Sequence, residues 1–171
     1  MNVADAIRTK RAVRNFKDEP LPVDAITAIL NAGRRSQSSK NEQPWQFVVI
    51  QDKTILRSVS QLGQWAGHIA GAAVAVAILT PDPNGKFQTM FDAGQAAALM
   101  QLAAWDLGIG SCPASIYEAE KARGVLGFPS ELHLRIVLSF GYPASEESLS
   151  SPPRKGGRHA LDEVVHWEKW R

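Results

Sequence analysis

Length, composition and charge exclude several classes of protein. The chain has 171 residues, 44% of them hydrophobic and 21% charged, which is typical of a globular chain and not of a disordered one. Its net charge of +2 is too small to indicate a nucleic-acid binder, and its one cysteine, Cys112, excludes an internal disulfide and a cysteine-based metal cluster.

The length predicts one domain, residues 1–171, and the absence of targeting signals leads us to expect a cytoplasmic protein. No apolar run reaches the roughly 18 residues of a membrane-spanning helix, so we expect no contact with membranes. The N-terminal ten residues include Asp5 and form no apolar segment of the kind found in secretory signals.

The first half of the chain alternates predicted helices and strands. Helical spacing and breaker residues indicate helices at Val3–Lys10, Val23–Arg34 and Lys53–Gln61, and apolar runs indicate strands at Trp45–Gln51 and Ala72–Leu79. The polar segment Ser36–Asn41 reads as a loop.

The second half continues the alternation. It predicts helices at Thr89–Leu107 and Glu118–Leu126, a strand at Leu132–Phe140, a loop at Ala144–Gly157 and an apolar periodic tail at Ala160–Trp170. Interleaved helices and strands of this kind predict an α+β or α/β fold with a mixed sheet.

Two of these elements carry more apolar surface than one chain easily buries. The helix Thr89–Leu107 is rich in alanine and apolar on most of its surface, which indicates burial on every side. Either a second subunit or the core of a monomer would provide that burial. The tail Ala160–Trp170 likewise needs a surface to dock on, in its own domain or in a partner.

Four segments have side chains suited to a ligand, and each also has an ordinary structural explanation. Arg11 and Arg14 are three residues apart and could present planar guanidinium groups to one phosphate, or could simply follow a helix C-terminus. Ser36–Trp45 offers hydroxyls and amides before a strand, or is a polar turn.

Gly108–Ser115 allows close backbone approach, but it matches neither a Rossmann nor a P-loop pattern, and Gly108 could be a plain helix stop. Arg158 precedes the apolar tail, so basic clusters at both ends of the chain could meet on one anion, or each could be solvated.

In combination and order these segments resemble the nitroreductase family. The resemblance rests on RAVRNF near residue 11, SSKNEQPWQFVVI near residue 40, the DAGQAAALMQLAAWDLGIGSC helix and turn, GYP near residue 142, and a basic residue before LDEVVHWEKW. It implies an α+β fold with a central mixed β-sheet flanked by helices, in an intertwined homodimer with an exchanged C-terminal segment. It also implies FMN as cofactor, NADH or NADPH as electron donor, and a nitroaromatic, quinone or similar acceptor reduced by a ping-pong mechanism.

The resemblance assigns the cofactor-binding residues by position. Those expected at the ribityl phosphate are Lys10, Arg11, Ala12 and Arg14 with Arg158; those reaching the flavin from the other subunit are Ser38, Ser39 and Asn41; those along the isoalloxazine are Gly110, Ser111, Pro113, Ala114 and Ser115. A backbone N–H of this last segment is expected near the flavin N5. Ala12 stands where many members carry a hydroxyl, so the phosphate motif lacks that donor.

The chain departs from larger members by having little room for a helical insertion over the site. We therefore expect an open site, or one covered by the loop Asp82–Gln88. We expect no catalytic side chain and no metal, because the flavin carries the chemistry. Cys112 is interpreted as a small buried hydrophobe and not as a redox thiol. The main alternative is a flavin-binding protein of the same fold without nitroreductase turnover: a sensor, a store, or a protein with other flavin chemistry such as dehalogenation.

Overall fold

The structure is a computed structural model that describes residues 1–146, 149 and 157–170. Its helices are α1 (Val3–Thr9), α2 (Val23–Arg34), α3 (Lys53–Ser60), α4 (Phe87–Asp106), α5 (Ala119–Leu126) and α6 (Leu161–Val164). Its strands are β1 (Gln46–Ile50), β2 (Val74–Pro81), β3 (Gly110–Ser115) and β4 (Leu132–Gly141), and short 3-10 turns span Ser39–Asn41, Gly67–Gly71 and Pro83–Gly85. Within the described ranges, no helix is both long enough and apolar enough to cross a membrane.

The strands form one sheet in the order β1-β2-β4-β3. Each neighbouring pair is antiparallel, so β1 and β3 are the two edge strands. Parallel pairing in the described residues consists of the isolated bridge between Ala12 and Ser111. The sheet expected to be mixed is thus antiparallel among its named strands, and its parallel element lies at the edge of β3.

Both faces of the sheet are covered, which produces two apolar cores. Helices α2 and α4 pack on the face that carries Val74, Val76 and Ile78, and α3 and α5 pack on the face that carries Ala75 and Ala77. Strand β2 is consequently buried from Val74 to Thr80. This burial explains why its sequence is a continuous apolar run and not a polar–apolar alternation.

Helix α4 is buried on one face and apolar on the other. Ala96 and Met100 pack against the sheet and α2, whereas Phe87 and Phe91 are exposed by 79% and 68% of their surface. The alternative in which the core of a monomer buries this helix on every side is therefore wrong, and burial against a second subunit stays a prediction. The alanine-rich sequence instead leaves an apolar face uncovered.

Most predicted elements agree with the structure to within a few residues, and α2 agrees in full. Strand β3 was not predicted, because Gly110–Ser115 has glycine and proline and no β-branched residue. The tail is helical only over Leu161–Val164. Gly108, at φ 73°, follows the end of α4 in the left-handed conformation that stops a helix, as expected.

Candidate functional site

The arginine segment and the start of β3 lie side by side, although about 100 residues separate them in sequence. The N–H of Val13 donates to the carbonyl of Ser111 at 3.0 Å, and Ala12 forms the parallel bridge to the same residue. Val13 is buried, and a Cβ on Gly110 would lie 2.6 Å from the Cβ of Val13. Glycine at position 110 is therefore required for the two backbones to approach this closely.

The cations of this segment are held in different ways. Arg11 folds back, and its Nη1 donates to the carbonyls of Arg8, Thr9 and Lys10 at 3.0, 3.0 and 3.1 Å, while its Nε is buried without a partner among the described residues. This contact caps the C-terminus of α1, which is the ordinary structural role that the sequence also allowed.

Lys10 and Arg14 complete the basic cluster. Nζ of Lys10 donates to Oε1 of Gln101 on α4 at 2.6 Å, and burial, reinforced by the charge of Arg14, lowers the pKa of Lys10. Arg14 and the neighbouring Ala12 are exposed. The cluster thus combines partly buried and exposed cations at one end of β3.

Strand β3 turns part of its backbone away from the sheet. Ile116, just beyond the strand, donates its N–H to the carbonyl of Arg135 on β4 at 2.9 Å. Because backbone groups of successive residues alternate between the two edges of a strand, Pro113 and Ser115 point theirs away from β4. Proline is tolerated at position 113 for this reason, since its missing N–H would face the outer edge.

The outer edge of β3 is covered at both ends. Val13 pairs with Ser111 at one end, and at the other a Cβ on Gly63 would collide with the carbonyl oxygen of Ser115. The backbone groups between these two contacts include the Ser115 N–H. This stretch of edge is where a planar ligand could receive a main-chain hydrogen bond.

Some side chains of β3 are exposed and could contact a ligand, whereas others are buried in the core. Pro113 and Ser115 are exposed, whereas Ala114 belongs to the core beside α3 and α5, so that only its backbone is available to a ligand. Ser111 is fully buried, and its Oγ has no hydrogen-bond partner among the described residues. A buried hydroxyl without a partner is costly and indicates a ligand or water that completes it.

The predicted serine loop lies elsewhere, against the N-terminal half of α4. The N–H of Ser39 donates to Oδ2 of Asp92 at 2.9 Å, and Ser38 Oγ accepts from the N–H of Gln43 at 2.9 Å. Lys40, Asn41 and Gln43 all have positive φ, at 51°, 58° and 48°. Such strained backbone is found preferentially at functional sites.

Helix α4 separates the serine loop from the basic cluster within one chain. Asp92 holds the loop and Gln101 holds Lys10, and nine residues of α-helix span about 14 Å. The loop expected as a cover borders the serine loop, because Nζ of Lys86 lies 3.4 Å from Oε2 of Glu42. One chain therefore presents two separate halves of the predicted site.

Arg158 lies in the C-terminal segment and is exposed. Among the described residues, no hydrogen bond joins it to Lys10, Arg11 or Arg14. The tail that follows leaves Trp167 and Trp170 exposed by 80% and 86% of their surface. The structure of one chain thus does not bring the two basic clusters together.

Two groups beside these segments were not predicted. Asp92 is buried, and the one signal for it is an acidic residue within an otherwise apolar helix. His68 Nδ1 lies 2.8 Å from Oγ of Ser139, and that hydroxyl donates to the carbonyl of Cys112 at 3.2 Å. A serine within the apolar run of β4 was the available signal.

Burial dominates the electrostatics behind β3. It lowers the pKa of His68, with a further lowering by Arg14 and an opposing contribution from the carbonyl of Pro113. It raises the pKa of the Cys112 thiol, against the opposite effect of Arg14 and Lys10. Cys112 is therefore buried and protonated at neutral pH, which favours its interpretation as a small hydrophobe.

Comparison with known proteins adds three kinds of similarity. Residues 7–142 match the sequence profile described as the Nitroreductase family. A protein of Archaeoglobus fulgidus, with the provisional name NADH dehydrogenase/NAD(P)H nitroreductase, is 29% identical over 171 residues that cover 96% of each protein. The iodotyrosine deiodinase of Thermotoga neapolitana is 22% identical over 81% of this chain and 87% of that protein. A solved FMN-dependent nitroreductase from Clostridium difficile has a TM-score of 0.82 at 24% identity and is covered in full by 98% of this chain.

Proposed function

Because this chain belongs to the nitroreductase family, we propose that it is an FMN-dependent oxidoreductase, which takes electrons from NADH or NADPH and passes them to a small acceptor such as a nitroaromatic or a quinone. The observation that carries the proposal is the pairing of the arginine segment with the outer edge of β3. That pairing joins phosphate-binding cations to outward-facing backbone in one continuous surface.

The residues present fit the phosphate of a mononucleotide. Lys10, Arg11 and Arg14 supply positive charge, and arginine forks suit phosphate oxygens. The buried Ser111 Oγ and Arg11 Nε have no partner in the described part of the chain, so both have hydrogen-bonding capacity left for an anion.

The outer edge of β3 fits the flavin ring. Pro113 and Ser115 offer an exposed surface, and the Ser115 N–H is the main-chain donor directed toward the ring. When bound, FMN supplies the redox chemistry, accepting a hydride from the nicotinamide and passing electrons to the acceptor. No side chain of this chain is needed as an acid or base, and donor and acceptor occupy the same exposed surface in turn.

A second copy of the chain completes the site. The serine loop with Ser38, Ser39 and Asn41 lies at the other end of α4, and Arg158 is on an exposed segment, so both reach the flavin only from a partner. The uncovered apolar face of α4 supports an interface between copies.

The apolar tail has a suitable docking place on a second copy. A groove of about 580 Å³ lies between α2 and β1 and is lined in part by Leu30, Trp45 and Phe47. Strand β1 is an edge strand, so its outer backbone groups are available to an extended segment. The tail Leu161–Trp170 of the partner has the apolar residues to fill this groove.

The test begins with the purified protein and its visible spectrum. We expect the spectrum of bound FMN. Mixing the protein with NADH or NADPH should oxidise the nicotinamide and reduce the protein, and a nitroaromatic or quinone should then reoxidise the protein, with ping-pong kinetics overall. A colourless protein that does not bind added FMN would overturn the proposal. Bound FMN without turnover of NADH or NADPH would instead indicate a flavin store or sensor.

Substitution of the cations tests the phosphate site. Arg11→Ala or Arg158→Ala should weaken FMN binding roughly 10- to 100-fold, because a hydrogen bond to a charged group contributes about 1.5–3 kcal/mol. Arg57→Ala, on the exposed last turn of α3, is the matched control and should leave the dissociation constant unchanged. Equal affinity in all variants would exclude these residues from the site.

Reductive dehalogenation is a second candidate acceptor reaction. The similarity to iodotyrosine deiodinase over 81% of the chain supports it. Incubating the reduced protein with a halotyrosine and measuring halide release separates it from nitro reduction. Halide release without reduction of nitroaromatics or quinones would favour the second candidate.

A further inference from the structure

A chain of hydrogen bonds supports β3 from the side opposite the proposed flavin. His68 Nδ1 contacts Ser139 Oγ at 2.8 Å, and Ser139 donates its one proton to the carbonyl of Cys112 at 3.2 Å. Since that proton is used, the serine oxygen must accept from His68, and Nδ1 therefore carries a hydrogen. The network, and not an observed proton, assigns this tautomer.

The support acts on the peptide just ahead of the ligand-facing residues. Ser139 is opposite Cys112 in the register of β4 and β3, and it is fully buried. The outer edge holds Ser111 through Val13, so the strand is fixed from two sides immediately before Pro113.

The surroundings of His68 favour the neutral imidazole, which donates through Nδ1. Its Nε2 is buried and has no hydrogen-bond partner in the part of the chain that the structure describes. A second proton would add a buried positive charge facing Arg14, and the carbonyl of Pro113 offsets this cost only in part, with Lys10 and the Cys112 thiol also in the cluster. Burial and Arg14 keep the pKa of His68 below its ordinary value, so the ring is neutral at pH 7.

We propose that His68 is a positioning residue, which acts through Ser139 to hold the Cys112–Pro113 peptide and so directs the Ser115 N–H toward the bound flavin. The flavin part of this inference rests on the proposed function. The structural part concerns only this chain and can be tested without FMN.

Hydrogen exchange of the FMN-free protein tests the structural part. His68→Leu should accelerate exchange of amides in residues 110–117 about five- to tenfold, because one buried hydrogen-bonded support is lost. His68→Asn should exchange within about twofold of the wild type, because an amide can donate to Ser139 in place of Nδ1. His133→Asn, at the start of β4, is the matched control and should have no effect there.

A double-variant cycle distinguishes this route from a general loss of stability. Ser139→Ala should reproduce the effect of His68→Leu, and the double variant should exchange no faster than either single variant. Amides of α2, on the other face of the sheet, should be unchanged. Equal acceleration in α2, additive effects in the double variant, or wild-type exchange in His68→Leu would each overturn the proposal.

The flavin part has its own measurements in the FMN-loaded protein. His68→Leu should shift the midpoint potential and the absorption spectrum of the flavin, while the FMN dissociation constant changes less than about threefold because the phosphate cations are intact. An unchanged potential and spectrum would overturn this part. Failure of every variant and of the wild type to bind FMN would instead count against the proposed function and leave the exchange result standing.

A pH profile gives a signature that a merely space-filling histidine would not. The unfolded chain takes up a proton near pH 6.5, before the folded one does, so protection of β3 should be full above that value and decrease as the pH falls below it. His68→Asn should remove this decrease. A decrease of the same size in His68→Asn would contradict the role.

Discussion

The two halves of the candidate site differ in how they are assembled. The half at β3 is complete within one chain, since main-chain pairing of Ala12 and Val13 with Ser111 brings the cations to the strand. The half that contains Ser38, Ser39 and Asn41 is held about 14 Å further along α4, and Arg158 lies on an exposed segment. The first half therefore forms when one chain folds, whereas the proposed function assigns the second half to a second copy.

The apolar surface is distributed in the same way. Around β3, the arginine segment buries Val13 against glycine. Along the exposed face of α4 and in the tail, Phe87, Phe91 and Trp170 remain in contact with solvent in the single chain. In the proposed dimer, folding of one chain would therefore form the half at β3, and assembly would bring in the other half.

Removal of the two exposed tryptophans of the tail should have the largest effect, because it tests whether the second half of the site depends on assembly. Trp167→Ala with Trp170→Ala should raise the dimer dissociation constant at least about 100-fold, because each buried large apolar side chain contributes roughly 1.5–3 kcal/mol. Sedimentation analysis measures the dissociation constant, and Val125→Ala, at an exposed position on α5 on the other face of the sheet, serves as the control. A monomeric wild type would show that the comparison is mistaken, and an unchanged dimer in the double variant would show that the tail is not exchanged.

Two glycine-to-alanine substitutions should change stability in opposite directions, one within a chain and one between two copies. A Cβ on Gly94 in α4 or Gly124 in α5 would touch nothing within 4 Å in the single chain. Gly124→Ala should therefore stabilise the protein by about 0.5–1 kcal/mol through helix propensity.

Gly94→Ala should instead weaken the dimer by about 1–3 kcal/mol, because a close approach of two copies leaves no room for a methyl group. Thermal unfolding at several protein concentrations measures both variants. If Gly94→Ala stabilises the protein as Gly124→Ala does, then α4 does not approach a second copy at this position.

A smaller effect than those on the dimer is expected inside the self-contained half. Ser111→Ala should stabilise the FMN-free protein by about 1 kcal/mol, because it removes a buried hydroxyl that lacks a partner. The same change should weaken FMN binding about tenfold, because the hydroxyl is then missing from the phosphate site. Calorimetry of unfolding and FMN titration give the two values, and a variant with unchanged FMN affinity would remove Ser111 from the site.

Several elements were accessible from local sequence. Pro22 ahead of an amphipathic run set the start of α2, and the apolar run of Val74 to Leu79 predicted the central strand. Gly108 marked the end of α4. Each signal lies within a few residues of the feature it predicts, so it can be recognised without knowing which distant segments it contacts.

The tertiary structure alone decided which of these segments meet. Pairing of Ala12 with Ser111, the support of Cys112 by His68 through Ser139, and the conversion of a glycine-rich segment into edge strand β3 all join residues distant in sequence. A periodic pattern reports which face of an element is apolar, but not which element covers it. By itself the sequence therefore determined the elements with strong local patterns and the order of the motifs, and long-range packing determined strand β3 and the site that the motifs form.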